Sequence, residues 1–306
     1  MTQSWKLTTH APRPVIEAAL IAHEEAFDWD PDIVLSGSEV AEDRPDDWRF
    51  EAWLPRKPGD EEEAALRALF DGQAPAFAIE ELPDADWVTQ SQQGLEPIRA
   101  GKFHVRTPDH PALLAPGIRD FIIPASRAFG TGQHATTAGC LAMLSAMNAR
   151  GVTVKNCLDV GTGTGLLAFA ALDLWPRAMA TASDIDAVCL AVIAENAALN
   201  GIAIGGRLGE VTMLAAAGLD HPLIAARGPY DLILANILAG PLIELAPDFA
   251  ESLVPGASLV LAGLLTTQEP AVRVACRRSG LRLAERMICG DWSILWLRKR
   301  ADYSIR

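Results

Sequence analysis

Cysteine is scarce in this 306-residue chain, with five in all. Cys140, Cys157, Cys189, Cys276 and Cys289 are odd in number, widely spaced and free of any CxxC or Cys/His ligand pattern. Neither a disulfide framework nor a zinc site is favoured, no metal is implied, and the thiols read as reduced packing residues. Also missing are a charged-then-apolar leader and any uninterrupted apolar run of the roughly 18 residues that a membrane helix needs. The sequence therefore reads as cytoplasmic, with no membrane partner. Basic residues are short in the first third: residues 1–90 hold 7 Lys+Arg against 21 Asp+Glu, net −14, while the whole chain carries −13. A field of that sign repels phosphate backbones and draws basic partners, which argues against direct nucleic-acid binding by this segment. The other reading is a solvated acidic face that keeps the chain soluble.

What is present is a large apolar inventory, half of all residues, enough to bury a sizeable core in one large or two ordinary domains. The first region mixes patterns. WKLTT at 5–9 reads as a strand, RPVIEAALIAHEEAF at 13–27 as an amphipathic helix, IVLSGSEVAE and WRFEAWLP as a strand pair, EEEAALRALF as a second helix and AFAIEELP as a last strand. The order β-α-β-β-α-β predicts a small ferredoxin-like α+β domain over residues 1–86, assigned to recognition because it carries no phosphate loop or catalytic constellation. Residues 87–124, dotted with Pro and Gly, read as a linker with short strands. Residues 125–306 alternate helices with strongly apolar strands, the pattern of an α/β, doubly wound, mostly parallel sheet. The strands are read at NCLDV 156–160, AMATASDID 178–186, YDLILANIL 230–238 and SLVLAGLL 258–265, with RLAERMICGDWSILWL, 282–297, as an antiparallel pair at the sheet's end.

Two small-residue stretches, FGTGQHATT at 129–137 and GTGTG at 161–165, cannot build a core, since small residues bury little apolar surface and glycine loses extra entropy on ordering. CLDVGTGTGLLAFAAL is strand, glycine turn, helix. Gly161, Gly163 and Gly165 let backbone pass close to a ligand at the carboxyl end of a central strand, where open α/β sheets bind their ligands. The spacing is GxGxG, with Leu166 where a dinucleotide fingerprint has its third glycine. Asp184, 23 positions after Gly161 and at the end of the next strand, is placed to accept both hydroxyls of a ribose. Asp186 reads as a turn or helix-capping residue. A nucleoside without a pyrophosphate is the economical ligand, and S-adenosylmethionine is a common cofactor of that kind on this architecture. Asn236 ends an apolar strand, where its amide either faces what lies over the glycine turn or merely caps its own turn.

FGTGQHATT, LDVGTGTG, SDID and ANILAGPL, in that order and spacing, resemble the ribosomal protein L11 methyltransferase family, PrmA. The resemblance covers nearly the whole chain and is strongest over residues 127–265. It implies a seven-stranded methyltransferase-type sheet behind a ferredoxin-like docking domain. It also implies an enzyme that uses S-adenosylmethionine to methylate lysine side chains and the α-amino group of that basic large-subunit ribosomal protein. Carried over by motif, the cofactor contacts fall on Thr137, Gly161, Asp184 and Asn236, with Gly163 in the same turn. Asn236 is also the candidate for orienting the amine. Phe129 would cover the reactive region or pack as an ordinary aromatic, and His134, the titratable side chain of its loop, would touch the site or cap a helix. Thr162 and Ala135 stand where the family often has Cys and Pro, neither with an evident side-chain role. The competing readings are a methyltransferase for another protein or a small amine, and a non-catalytic ribosome-assembly binder that keeps the fold. An NAD-dependent oxidoreductase is disfavoured by the GxGxG spacing.

Overall fold

The computed structural model describes residues 4–24, 29–30, 33–40, 47–70, 75–82, 96–124 and 133–300. The chain divides into two compact units, Met1–Gln93 and Gly94–Arg306.

In the smaller unit β1 (Ser4–Pro12), α1 (Arg13–Glu24), β2 (Val34–Glu39), β3 (Asp47–Leu54), α2 (Asp60–Ala68) and β4 (Ala78–Leu82) follow one another. The strands form an antiparallel sheet in the order β2-β3-β1-β4, the ferredoxin-like arrangement. Alternation decides its faces. Phe50, Ala52 and Leu54 of β3 point to one side with Leu7 of β1, and α1 brings Ile16 and Ala19 onto them. Helix α2 opens with Asp60, Glu61, Glu62 and Glu63, which favour the positive end of the helix dipole, and Glu62 accepts the Gly59 N–H at 2.7 Å. The expected strand IVLSGSEVAE and helix 13–27 both run on into positions outside the described residues.

The larger unit opens with β5 (Ile98–Ala100), β6 (Phe103–Arg106) and β7 (Arg119–Ile122), a three-stranded sheet, and continues with α3 (Gln133–Ala149). Half-buried Asp120 ties β6 to β7 by taking His104 Nδ1 at 2.5 Å and Arg106 Nε at 2.9 Å. Burial works to raise its pKa, and these bonds outweigh that and hold the carboxyl below its ordinary range. Then come β8 (Asn156–Val160), α4 (Leu166–Leu174), β9 (Met179–Asp184), α5 (Cys189–Asn200), β10 (Ala203–Ile204), β11 (Glu210–Ala215), α6 (Pro222–Arg227), β12 (Tyr230–Asn236), α7 (Ala239–Glu244), α8 (Ala246–Ser252), β13 (Leu253–Leu265), α9 (Glu269–Arg278), β14 (Leu281–Cys289) and β15 (Trp292–Lys299).

The main sheet runs β10-β11-β9-β8-β12-β13-β15-β14, parallel except for β15, which is antiparallel to both neighbours. It has eight strands against the seven expected, the extra one being two-residue β10 at the edge. Helices cover both faces, so the central strands are buried on both sides: in β12, Leu232 and Leu234 join one core with α3, α4 and α5, while Ile233 and Ala235 join the other with α6 to α9. The small sheet is no free linker, because Ile98, Phe103, Val105 and Phe121 belong to the first of these cores. All five cysteines are free, four of them buried. Among the described residues no helix is long and apolar enough to cross a membrane.

Candidate active site

The carboxyl ends of β8, β9 and β12 are neighbours in the sheet, and there the candidate residues assemble. The chain leaves β8 through Gly161, Gly163 and Gly165, at φ 67°, 54° and 84°, a left-handed run that side chains with a Cβ avoid. Four hydrogen bonds brace the turn from outside. Thr162 N–H donates to the Ser183 carbonyl (3.0 Å), Gly163 N–H to Asp184 Oδ2 (2.8 Å), Thr162 Oγ1–H to Asp159 Oδ2 (2.6 Å), and Asn196 Nδ2–H to the Thr164 carbonyl (2.9 Å). Asp184 Oδ1 also accepts the Asp186 N–H (3.1 Å), and Asp186 in turn caps Val188 N–H at 2.9 Å. Each Asp184 oxygen keeps a further lone pair for a ligand hydroxyl. Asp159, 1 % exposed, has Oδ1 without a partner, and burial pushes its pKa up to about 7.

Asn236 is delivered by β12 and followed by Ile237, which is wedged between glycines of both neighbouring strands. A Cβ on Gly161 would stand 2.3 Å from Ile237 Cγ2, and one on Gly263, at φ 81°, 2.3 Å from the Ile237 carbonyl oxygen. Both glycines make room for Ile237 and so for the end of β12 that carries Asn236. Asn236 Nδ2 reaches Thr137 Oγ1 at 3.5 Å, the long end of hydrogen bonding, so the α3 and β12 motifs meet at this pair. A left-handed glycine turn beside a carboxylate suits a ribose-bearing ligand, and the Asn236–Thr137 pair adds polar groups at the end of the neighbouring strand.

Residues 23–300 match the sequence model of the ribosomal protein L11 methyltransferase (PrmA) family. The chain belongs to that family. It is 40% identical over 275 residues to a ribosomal protein L11 methyltransferase of Brucella suis, covering 90% of this chain and 92% of that one. With the corresponding Rhizobium meliloti protein it shares 36% identity over 285 residues, 92% of this chain and 94% of that one. Among solved structures it is similar to the ribosomal protein L11 methylase of Lactobacillus delbrueckii subsp. bulgaricus, with a TM-score of 0.54 and 27% identity over 67% of this chain and 97% of that one.

Against this PrmA framework, Gly161, Gly163, Asp184, Asn236 and Thr137 come together at one end of the sheet. Phe129 lies outside the described residues; His134 lies in α3, with its side chain outside them. Asp159, Asn196, Ile237 and Gly263 join the site without having stood out in the sequence. The signal for Asp159 was a lone charge inside the apolar strand NCLDV, where a carboxyl is kept only for a specific partner. Ile237 and Gly263 gave no local signal, because their fit is made between strands. A cavity of about 340 Å³ lies elsewhere, against Arg150, Asp231, Gly256 and Arg298 where β12 and β13 begin, and holds none of the motif residues.

Proposed function

We propose that this methyltransferase transfers methyl groups from S-adenosylmethionine to amines of ribosomal protein L11, its lysine side chains and α-amino group. The observation that carries this reading is that the Asp184-braced glycine turn and the Asn236–Thr137 pair lie at the carboxyl ends of neighbouring strands, in a chain of this family. Asp184 would hold the ribose hydroxyls, Gly161 and Gly163 would let the turn lie against the nucleoside, and Thr137 would bond the polar end. When bound, S-adenosylmethionine supplies an electrophilic methyl group on a sulfonium.

The chain's own residues then have two tasks. The first is to present the amine neutral: a lysine of pKa about 10.4 is mostly protonated near pH 7, and a dry site lowers that value and frees the lone pair. The second is alignment, which for an in-line displacement is the larger part of catalysis. Asn236 would serve it: with Nδ2 donating to Thr137, Oδ1 is left to accept an amine N–H. Water carries the released proton away. Phe129 and His134 sit in the segment leading to Thr137 and serve as candidates for covering the reacting groups. The acidic smaller unit serves as the docking domain for a basic protein, and the reaction belongs in the cytoplasm, without nucleic-acid or membrane partners.

Mass spectrometry of ribosomal proteins from a strain lacking the gene is the test. Undermethylated L11 that the purified enzyme and S-adenosylmethionine restore is the expected result. L11 with its methyl groups intact in that strain overturns the assignment and moves the search to another protein or a small amine.

A further inference from the structure

Helix α5 turns two buried asparagines to one side. Asn196 and Asn200 are four residues apart, hence on one helix face, and are 2 % and 8 % exposed. A buried amide is costly unless hydrogen-bonded, so where these two bond is informative. Asn196 Nδ2 donates to the Thr164 carbonyl, inside the glycine turn, at 2.9 Å. Asn200 does something different. Its Oδ1 accepts the Ile122 N–H at 2.8 Å, and its Nδ2 donates to the Ile122 carbonyl at 2.7 Å and to the Asn196 carbonyl at 2.8 Å. Arg119, also on β7, donates through Nη2 to the Asn200 carbonyl at 2.6 Å.

Ile123 N–H bonds the Arg106 carbonyl of β6, so Ile122, one residue earlier, turns both its backbone groups to the opposite edge. Asn200 occupies that edge as a neighbouring strand would. A helix-ending asparagine before Gly201 needs none of this, since the cap itself is made by backbone: Gly201 in the left-handed region and its N–H on the Ala197 and Ala198 carbonyls.

We propose that Asn196 and Asn200 are positioning residues of the methyl-transfer site, which use α5 as a strut to lock strand β7 to the glycine turn. The inference rests on the methyltransferase reading given above. Asn196 fixes the peptide that leads into Gly165 and so acts on cofactor affinity. Asn200 fixes β7, the strand that precedes the FGTGQHATT segment and Thr137 in the chain, and so acts first on the alignment that Asn236 and its partner Thr137 serve, and less on affinity. The two cannot move independently, because one helical turn carries both.

Hydrogen exchange on the full-length protein, with and without S-adenosylhomocysteine as the probe, tests this. In the unaltered protein the probe should slow exchange in the turn, 161–165, and also in 119–124. In Asn200→Ala the turn should still be protected by the probe, while the protection of 119–124 disappears. A merely structural asparagine would lower protection in both states and leave the probe-dependent difference at 119–124 intact, which would overturn the proposal, as would no protection there in the unaltered protein. Should Asn200→Ala fail to fold, Asn200→Asp carries the test: it keeps the volume and the acceptor for Ile122 N–H and loses both donated bonds. In steady state, Asn200→Ala should lower kcat about tenfold with a smaller change in KM for S-adenosylmethionine, and Asn196→Ala should raise that KM about tenfold. An unchanged kcat in Asn200→Ala also counts against the inference. If the unaltered protein binds the probe but does not methylate L11, the substrate assignment falls and the exchange experiment still decides this one. If it does not bind the probe at all, both fall.

Discussion

Asp184 meets two demands at once: its carboxylate braces the glycine turn through Gly163 N–H and still has lone pairs for a ligand's hydroxyls. Asp184→Ala should therefore weaken S-adenosylhomocysteine binding about tenfold to a hundredfold and also lower the melting temperature, with Asp184→Asn between the two. Calorimetry giving unaltered affinity in the folded Ala variant would remove Asp184 from the site. Asn236→Ala should behave differently, lowering kcat about tenfold or more while cofactor affinity stays near that of the unaltered enzyme, because alignment of the amine matters in the transition state. Equal losses in both would return Asn236 to the cofactor shell alone. Asp159 makes a third, thermodynamic case. Its folded-state pKa, pushed by burial up to about 7, lies above the roughly 3.9 of an unfolded aspartate, so the fold binds the extra proton. The stabilisation is complete below the unfolded value and is lost as pH rises through about 7. Melting temperature should thus fall between about pH 4 and 7 and level off above, and Asp159→Asn, which keeps an oxygen for Thr162 and Ala168, should flatten that fall. An equally steep profile in the variant would mean that Asp159 is ionised in the fold. Residues that announce themselves by type, such as an aspartate ending an apolar strand, were legible in the sequence. Asn196 and Asn200 were not, since an asparagine near a helix end looks like a stop signal until its distant partners are known.

At the scale of elements, what places Asn236 is the fit of three strand ends around Ile237. Gly263 adopts φ 81° within β13 and lies so close to the Ile237 backbone that any Cβ there would collide with it. Gly263→Ala should cost on the order of 1–3 kcal/mol of stability and lower kcat through the displaced Asn236, while Gly280→Ala, also at positive φ but with open space around it, should cost stability without that loss of turnover. Thermal melts alongside kinetics of the two variants make the comparison, and equal kcat values would show that Asn236 does not depend on this packing. The central strands were readable because a strand buried on both faces is a continuous apolar run. EVTMLA at 210–215 carries no such run, since Glu210 and Thr212 interrupt it and only Val211 and Leu214 are buried. Strand β13 starts at Leu253, five residues before the expected Ser258, by passing through Pro255 and Gly256, residues that ordinarily mark a turn. Its pairing with β12 slips there, from Tyr230–Leu253 to Leu232–Ser258.

On the scale of the whole molecule, charge and core divide the chain at nearly the same place, since the net −14 of residues 1–90 falls inside the unit that ends at Gln93. The two boundaries have different physical origins. Charge is additive along the sequence and can be counted, whereas the membership of 98–123 in the larger core depends on Phe103 and Phe121 stacking at 5.8 Å under α3, which short strands among prolines and glycines do not reveal. A fragment beginning near Phe121, at the end of the expected linker, would strip Ile98, Phe103 and Val105 from that core. The cut that respects it lies at Gly94. The Gly94–Arg306 fragment should bind S-adenosylhomocysteine as the full chain does, because Thr137, Gly161, Asp184 and Asn236 are all within it, and should lose methylation of intact L11. Part of the acidity has a local cause, as Asp60, Glu61, Glu62 and Glu63 stabilise the first turn of α2. The docking role therefore needs a measurement that leaves the fold whole. Raising salt supplies it: attraction between a net-negative unit and a basic protein is screened beyond a Debye length of about 8 Å at physiological ionic strength. In the full-length enzyme, kcat/KM for L11 should fall with added salt, while the affinity for S-adenosylhomocysteine, set by short-range bonds in the turn, should hardly change. A fragment that methylates L11 as well as the full chain, or a kcat/KM indifferent to salt, would reduce the acidic unit to a solubility face.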